Sequence, residues 1–155
     1  MSDKIFDIGI IGYGPVGATL SGLLSSLGFS VVVIEKNKGV SPTARAINTD
    51  SEQLRTFNFL SIATKVIANS RRLKKVHFTD SEFYPYSSID IPEEDKLGWP
   101  PTLLFYQPEL ETIIRSNNLK YKNLKILENT EVIKIESTDP VQVDIRNNRK
   151  DSPIY

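Results

Sequence analysis

Cysteine is absent from this 155-residue sequence, and its only histidine is His77. Without cysteine there are no disulfides, no thiolate catalysis and few zinc or iron–sulfur sites, and one histidine cannot form a multi-histidine site. We therefore expect no bound metal. The 19 basic residues balance the 19 acidic ones, so net charge gives no indication of binding to nucleic acid or to an anionic membrane.

Long apolar runs are also missing, because no stretch reaches the roughly 18 residues that a membrane-spanning helix needs. Residues 1–4 lead directly into a strand-like run, without the charged-then-apolar layout of a signal peptide. The composition, with 39% hydrophobic residues, is that of an ordinary globular domain. We expect a single domain in the cytoplasm, whose chemistry is either absent or supplied by a bound organic cofactor.

A glycine motif follows the first predicted strand. Residues 5–11 are a short run rich in β-branched residues, typical of a buried parallel strand, and Gly12, Gly14 and Gly17 follow it with GxGxxG spacing. In this motif the first glycine permits a tight turn, the second lets the backbone approach a pyrophosphate, and the third lets helix and strand pack closely. The pyrophosphate then meets free N–H groups and the positive end of the helix dipole.

The residues after the motif have the pattern of a helix and a second strand. Pro15 suits a first helical position, and apolar residues recur at helical spacing over residues 16–27. Ser21 is small and is expected on the helix face that approaches the sheet. Gly28 is a typical helix stop, and residues 31–34 form a second apolar strand. Strand, glycine turn, helix and strand together predict a βαβ unit that binds a dinucleotide.

Glu35 ends the second strand, 18 residues after Gly17, and is placed to accept hydrogen bonds from an adenosine ribose. The alternative is a packing turn followed by a solvated acid. Because the Glu35 carboxylate would repel a 2′-phosphate, an unphosphorylated ADP moiety is favoured over NADP at this site. The motif alone does not separate NAD from FAD, since both contain the same ADP half.

The remainder of the chain is predicted to alternate loops, helices and short strands. Residues 36–49 lack periodicity and are interpreted as a functional loop, ended by a helix cap at Thr49 or Asp50. Residues 151–155 are predicted to begin a further strand. The other predicted elements are helices over 51–60, 62–67 and 107–117, strands over 73–79, 83–91 and 123–127, a loop over 92–101, and a β-hairpin of strands 131–136 and 141–145.

Three stretches carry a resemblance to a known family: residues 12–36 (GYGPVGATLSGLLSSLGFSVVVIEK), residues 44–47 (ARAI) and residues 107–111 (QPELE). They resemble the FAD-dependent aromatic hydroxylases, the single-component flavoprotein monooxygenases that include p-hydroxybenzoate, phenol and 3-(3-hydroxyphenyl)propionate hydroxylases. The resemblance covers most of this chain but only the N-terminal third of a family member. It implies an α/β fold: a Rossmann-like FAD-binding domain with a parallel βαβ sheet and a β-meander, in which residues 73–105 belong to part of a substrate-domain sheet.

The resemblance also implies roles for individual residues. Arg45 would lie along FAD near its pyrophosphate and flavin end, which suits a cation in a long loop. Gln107 would hydrogen-bond the ribityl or pyrophosphate region, and Val132 would contact adenine through its backbone. A solvated loop arginine and a solvent-facing helix-start glutamine are the alternatives for the first two. The predicted FAD-binding set is Gly12, Gly14, Pro15, Val16, Gly17, Glu35, Lys36, Arg45, Gln107 and Val132.

The implied reaction is hydroxylation of an aromatic substrate. NADH or NADPH would reduce FAD, and dioxygen would form the flavin C4a-hydroperoxide that attacks the ring. No catalytic acid or base in this chain is identified. Two alternatives remain open: an NAD-binding dehydrogenase domain, although these usually enter a helix soon after the second strand, and a non-catalytic remnant or subunit that completes its sheet with another chain.

Two Gly-Asp motifs of the family are absent from these 155 residues. The resemblance implies that a strand leading to the first of them would lie beside residues 5–11, so that the edge of this strand is exposed and open to self-association. We expect the 155-residue chain alone to bind FAD weakly and to have little or no monooxygenase activity.

Some conspicuous side chains are interpreted as structural. His77 is expected on a strand surface, and residues 71–75 (RRLKK) at a solvated junction between a helix and a strand. Four aromatic residues are expected in core and loop packing in preference to the border of a substrate pocket: Tyr84, Tyr86, Trp99 and Phe105.

Overall fold

The computed structural model describes residues 5–147 and divides into two compact units. The first unit contains the described residues up to Ser41 and from Ile114 onward, and the second unit is Pro42–Ile113. The strand expected over residues 151–155 lies outside the described residues. Within them, no helix is both long enough and apolar enough to cross a membrane.

Short connections join most elements along the chain, and the two long connections within the described residues are 35–47 and 91–101. In order the elements are β1 (Ile8–Ile11), α1 (Pro15–Ser26), β2 (Val31–Ile34), β3 (Asn48–Asp50), α2 (Ser51–Phe59), α3 (Ala63–Ala68), β4 (Ser70–Arg72), β5 (Lys75–Thr79), β6 (Pro85–Asp90), β7 (Thr102–Phe105), α4 (Gln107–Asn118), β8 (Leu124–Leu127), β9 (Thr130–Glu136) and β10 (Gln142–Asn147).

The first unit contains a parallel sheet with the order β1-β2-β8. On the central strand, Val31 and Val33 are fully buried on one face and Ile34 is buried on the other, as expected for a parallel strand covered on both faces. The predicted βαβ unit and α/β fold class are therefore confirmed. The first strand is shorter than predicted and begins at Ile8, because Asp7 turns its side chain to Ser30 and accepts hydrogen bonds from the Ser30 N–H and hydroxyl. These bonds also lower the pKa of Asp7 from its usual value.

Helix α1 buries a face of small residues. Ala18, Ser21 and Gly22 are buried, whereas Val16 is 81% exposed and Leu20 42% exposed. The apolar periodicity thus predicts the helix and its end at Gly28, which has φ +96°, but not the face that packs. Small side chains let a helix pack close to a sheet. The short distance between α1 and the sheet therefore determines which residues of the helix are buried, and the amount of apolar surface does not.

The hairpin predicted after the parallel sheet is confirmed as the antiparallel pair β9–β10, with a register shift between Asp144 and Ile145. This hairpin is the part of the expected β-meander that the described residues contain. Its start is tied to the parallel sheet, because the Thr130 N–H donates to the Glu35 carbonyl at 2.9 Å.

The second unit contains an antiparallel sheet with the order β3-β7-β4. None of these strands was predicted, and the interpretation of residues 71–75 as a solvated junction is wrong for Arg71 and Arg72, which lie in β4. Both arginines are exposed, as is common on an edge strand. Strands of three or four residues are too short to show an alternating pattern, and their partner β7 is distant in sequence.

In the second unit, the observed bounds of the helices and of the β5–β6 hairpin are close to those predicted from the sequence. Asp50 caps α2 by accepting the Gln53 N–H at 2.8 Å, and Leu54 and Phe57 of this helix are buried. Strands β5 and β6 pair as an antiparallel hairpin. His77 is exposed on β5, as predicted.

Candidate functional site

The turn between β1 and α1 requires glycine at two of its three motif positions. Gly12 has φ +98°, a backbone conformation that side chains disfavour, and its N–H donates to the Ile34 carbonyl at 2.8 Å. A Cβ on Gly17 would lie 2.1 Å from the Gly12 carbonyl oxygen, which is far inside van der Waals contact. The first and third glycines therefore permit the turn and the close approach of the helix.

Gly14 faces open space at the start of α1. A Cβ built on Gly14 meets no atom of residues 5–147 within 4 Å, and the structure described here gives this helix start no side-chain cap. Pro15 occupies the first helical turn, and Val16 next to it is exposed. The first N–H groups of a helix have no intrahelical partner, so this end offers backbone donors and the positive end of the helix dipole to an anion. The arrangement fits a diphosphate.

The Glu35 carboxylate lies directly beside this turn. Its Oε2 accepts the Tyr13 N–H and its Oε1 accepts the Asn37 N–H, both at 2.8 Å. Each carboxylate oxygen has a second lone pair, so Glu35 retains acceptor capacity for a ligand hydroxyl. Lys36 follows in an exposed position, and Val132 is partly buried in β9, two residues after the Thr130 that donates to Glu35.

Tyr13, between the first two glycines, is held by residues that the sequence did not single out. Its ring is 2% exposed, and its hydroxyl accepts a hydrogen bond from Asn118 Nδ2 at 3.1 Å. Arg115 Nη2 donates to the Tyr13 carbonyl at 2.5 Å. Burial is the main cause that raises the pKa of Tyr13 above its usual value of 10.0. Arg115 has the pattern of a solvated cation in a last helical turn, so no sequence pattern indicates this contact.

In the second unit, Gln107 holds the backbone of the loop that carries Arg45. Its side-chain Oε1 accepts the Arg45 N–H at 2.7 Å and the Ala46 N–H at 2.9 Å, while its Nε2 donates to Glu111 Oε1 at 2.9 Å. Gln107 and Glu111 are both buried, whereas Arg45 is exposed. The solvent-facing alternative for Gln107 is therefore wrong, because this amide is engaged inside the protein.

The predicted site residues thus fall into two groups. The glycine motif with Pro15 and Val16, together with Glu35, Lys36 and Val132, belongs to the first unit, and Arg45 and Gln107 belong to the second. Tyr84 and Tyr86, expected in packing, are 67% and 75% exposed on the β5–β6 hairpin. Residues 5–147 contain no group of three or more acidic or histidine side chains arranged to hold a metal ion.

Comparison with known proteins gives a family match over almost the whole chain. The model of the FAD binding domain family matches residues 6–153. The sequence is 29% identical over 143 residues to a probable NADH-specific resorcinol 4-hydroxylase of Rhodococcus jostii, covering 92% of this chain and 27% of that protein. It is 30% identical over 139 residues to a 3-(3-hydroxy-phenyl)propionate/3-hydroxycinnamic acid hydroxylase of Paraburkholderia xenovorans, covering 90% of this chain and 22% of that protein.

Solved structures give the same fold. The chain is similar to p-nitrophenol 4-monooxygenase from Pseudomonas putida, with a TM-score of 0.84 and 22% identity, over 91% of this chain and 36% of that one. It is also similar to the flavin-dependent monooxygenase PieE, solved with FAD and substrate, with a TM-score of 0.82 and 20% identity, over 96% of this chain and 28% of that one. The chain spans about a quarter of the length of the curated relatives it matches.

Proposed function

The chain belongs to the FAD binding domain family, and from this membership we propose that it is the FAD-binding part of a flavin-dependent aromatic hydroxylase. When bound, FAD supplies the redox chemistry, accepting a hydride from a reduced nicotinamide and activating dioxygen. The protein's own residues bind and orient the cofactor. The observation that carries the proposal is the glycine turn, with open space over Gly14 beside the Glu35 carboxylate.

We propose that the first unit binds the ADP half of FAD. The N–H groups at the start of α1 would donate to the diphosphate, because Gly12, Gly14 and Gly17 place no side chain there. Glu35 would accept hydrogen bonds from the ribose hydroxyls with the lone pairs that Tyr13 and Asn37 leave unused. Pro15 and Val16 of the helix start, Lys36 beside Glu35, and Val132 in β9 complete the proposed set.

For the second unit, we propose that Arg45 meets an anionic part of the cofactor. Its guanidinium is always charged and is exposed in a loop without regular structure, while its backbone N–H is fixed by Gln107. Because the Gln107 carbonyl oxygen already accepts two backbone N–H groups, we assign Gln107 mainly to holding this loop. Any direct contact with FAD would come from its remaining amide hydrogen.

The names of the relatives suggest the reaction partners. A relative named as NADH-specific and as a resorcinol 4-hydroxylase supports NADH as the electron donor and a phenolic ring as the substrate. We also propose a cytoplasmic location, because reduced nicotinamide is regenerated there. We assign residues 73–105 to part of a substrate-domain sheet. The exposed aromatic side chains of the β5–β6 hairpin support this last assignment.

Self-association through a sheet edge is a separate part of the proposal. Among the described strands, β1 is at the end of the order β1-β2-β8, and Ile11 on it is 58% exposed. An unpaired strand edge can pair with another chain. Size-exclusion chromatography across a concentration series tests this idea, and a constant monomeric elution volume would refute it.

Titration of the purified chain with FAD, followed by calorimetry and by quenching of flavin fluorescence, tests the central proposal. We expect saturable binding of FAD and competition by ADP. Absence of binding at any FAD concentration would contradict the proposal. Where the chain is part of a longer polypeptide, NADH oxidation stimulated by resorcinol is the assay for the reaction, and FAD binding without stimulated turnover would favour a non-catalytic role.

A further inference from the structure

Arg115 contacts the glycine turn without belonging to it. Its Nη2 donates to the Tyr13 carbonyl at 2.5 Å, and its guanidinium carbon lies 4.5 Å from the centre of the Tyr13 ring. Its Nη1 donates to Glu128 Oε1 at 3.1 Å. The side chain is 12% exposed, so these contacts fix a largely buried, permanently charged and planar donor fork.

Glu128 compensates the buried charge and extends the network. Its Oε1 also accepts the Gly39 N–H at 3.2 Å, in the loop that follows Glu35. The guanidinium charge is thus neutralised locally by a carboxylate, so its effect on the turn comes mainly from the directed hydrogen bond to Tyr13. This bond orients the Tyr13–Gly14 peptide group.

The bond to Arg115 determines the direction of one N–H group. In a planar trans peptide the C=O and the following N–H point in opposite directions. Because Arg115 holds the Tyr13 carbonyl, the Gly14 N–H is directed away from Arg115. A peptide that precedes glycine meets little steric resistance to rotation, so nothing in Gly14 itself keeps this orientation.

We propose that Arg115 is a positioning residue: it holds the Tyr13–Gly14 peptide so that the backbone donors at the start of α1 are preorganised for a diphosphate. The inference rests on the proposed binding of FAD by this turn. Preorganisation lowers the ordering cost of binding, so losing it weakens affinity without requiring any contact between Arg115 and the cofactor.

The test compares Arg115→Met and Arg115→Lys with Arg55→Met as a matched control. Arg55 is also ion-paired on a helix, to Glu52, but its side chain is 56% exposed. Residue-resolved amide hydrogen exchange, measured by NMR without ligand, reports how well ordered the glycine turn is. Calorimetry measures the Kd for FAD and for ADP. For Arg115→Met we expect faster exchange confined to the backbone amides of residues 12–14, 16 and 17, and Kd values raised roughly 10- to 100-fold, as for one lost charge-assisted hydrogen bond.

The lysine variant separates orientation from charge. An ammonium group keeps the charge but lacks the planar fork that holds Tyr13 and Glu128 together, so Arg115→Lys should stay at least threefold weaker than wild type. Full recovery by lysine would overturn the positioning role in favour of a charge effect. If Arg115→Met does not fold, hydrogen exchange and the Kd are measured on Arg115→Lys instead.

Four further results are decisive. Exchange that rises equally in β1, β2 and α1 would assign Arg115 to general stability and overturn the proposal, as would unchanged exchange in the turn or an unchanged Kd. If the wild-type chain binds neither FAD nor ADP, the proposed function fails. The exchange measurement then still decides whether Arg115 orders the turn, so the two failures remain distinguishable.

Discussion

The Glu35 carboxylate accepts the Tyr13 N–H at 2.8 Å, which joins the acid that ends β2 to the glycine turn that follows β1. The two residues are 22 positions apart in sequence, and the parallel pairing of β1 with β2 brings them together. The same side chain therefore serves the fold and the proposed ribose contact.

Replacing Glu35 by alanine should weaken the binding of ADP. The variant loses a charged acceptor for the ribose and the bond that holds Tyr13, so we expect a cost of roughly 1–3 kcal/mol in binding free energy. Calorimetric titration with ADP measures this cost, with Glu52→Ala as the control because Glu52 is exposed on α2. An identical Kd for ADP would leave Glu35 with a role in the fold and none in nucleotide binding.

Gly14→Val should affect nucleotide binding, whereas Gly17→Ala should affect folding stability. Open space surrounds the Cβ position of Gly14 within the described part of the chain, so Gly14→Val should fold normally and lose ADP and FAD binding, because the side chain occupies the proposed diphosphate position. Gly17→Ala places a Cβ 2.1 Å from the Gly12 carbonyl and should lower the free energy of unfolding by about 1–3 kcal/mol or more.

Urea denaturation and ADP titration of both glycine variants check this contrast. Wild-type affinity in folded Gly14→Val would show that no ligand approaches Gly14. Wild-type stability in Gly17→Ala would contradict the close approach of α1 to the turn.

Gln107→Leu should loosen the loop that carries Arg45. The change removes the acceptor of two backbone N–H groups and the donor to Glu111, so we expect a loss of about 1–3 kcal/mol in unfolding free energy and faster proteolysis within residues 42–47. Gln142→Leu is the control, since Gln142 is exposed on β10. Equal proteolysis rates in wild type and Gln107→Leu would refute the holding role.

Stability at alkaline pH should depend on Tyr13. Burial raises the pKa of this phenol above 10.0, so the native state keeps the proton to higher pH than the unfolded chain does. Its contribution to stability is fully present below pH 10 and is lost as the pH rises through the native pKa. The stability difference between wild type and Tyr13→Phe should therefore shrink between pH 9 and pH 12 in urea denaturation. A difference that stays constant with pH would contradict the burial of this hydroxyl; exposed Tyr84→Phe is the control.

Local patterns were sufficient to predict the βαβ unit, the Asp50 helix cap and the β9–β10 hairpin, because each depends on residues close in sequence. Strands β3, β4 and β7 were missed, since three- and four-residue strands are defined by pairing with distant partners. On α1 the burial of Ser21 is as predicted from its small size, whereas the apolar periodicity does not predict the rest of the buried face, because close approach to the sheet selects Ala18 over larger apolar side chains.

The proximity of Glu35 to the glycine motif could be predicted because their spacing reflects a turn and the strand pairing beside it. Arg115 could not, because its contact with Tyr13 spans 102 residues and depends on where the end of α4 lies in the first unit. The holding of the Arg45 backbone by Gln107 likewise appears only when the loop and the helix start are seen together.

A crystal structure of the chain with ADP or FAD tests the central claim most directly. We predict that the diphosphate lies against the backbone N–H groups of the first turn of α1, over Gly14, with the ribose at Glu35. Density for the nucleotide at another place, or a glycine turn that stays empty at saturating ligand, would contradict the account.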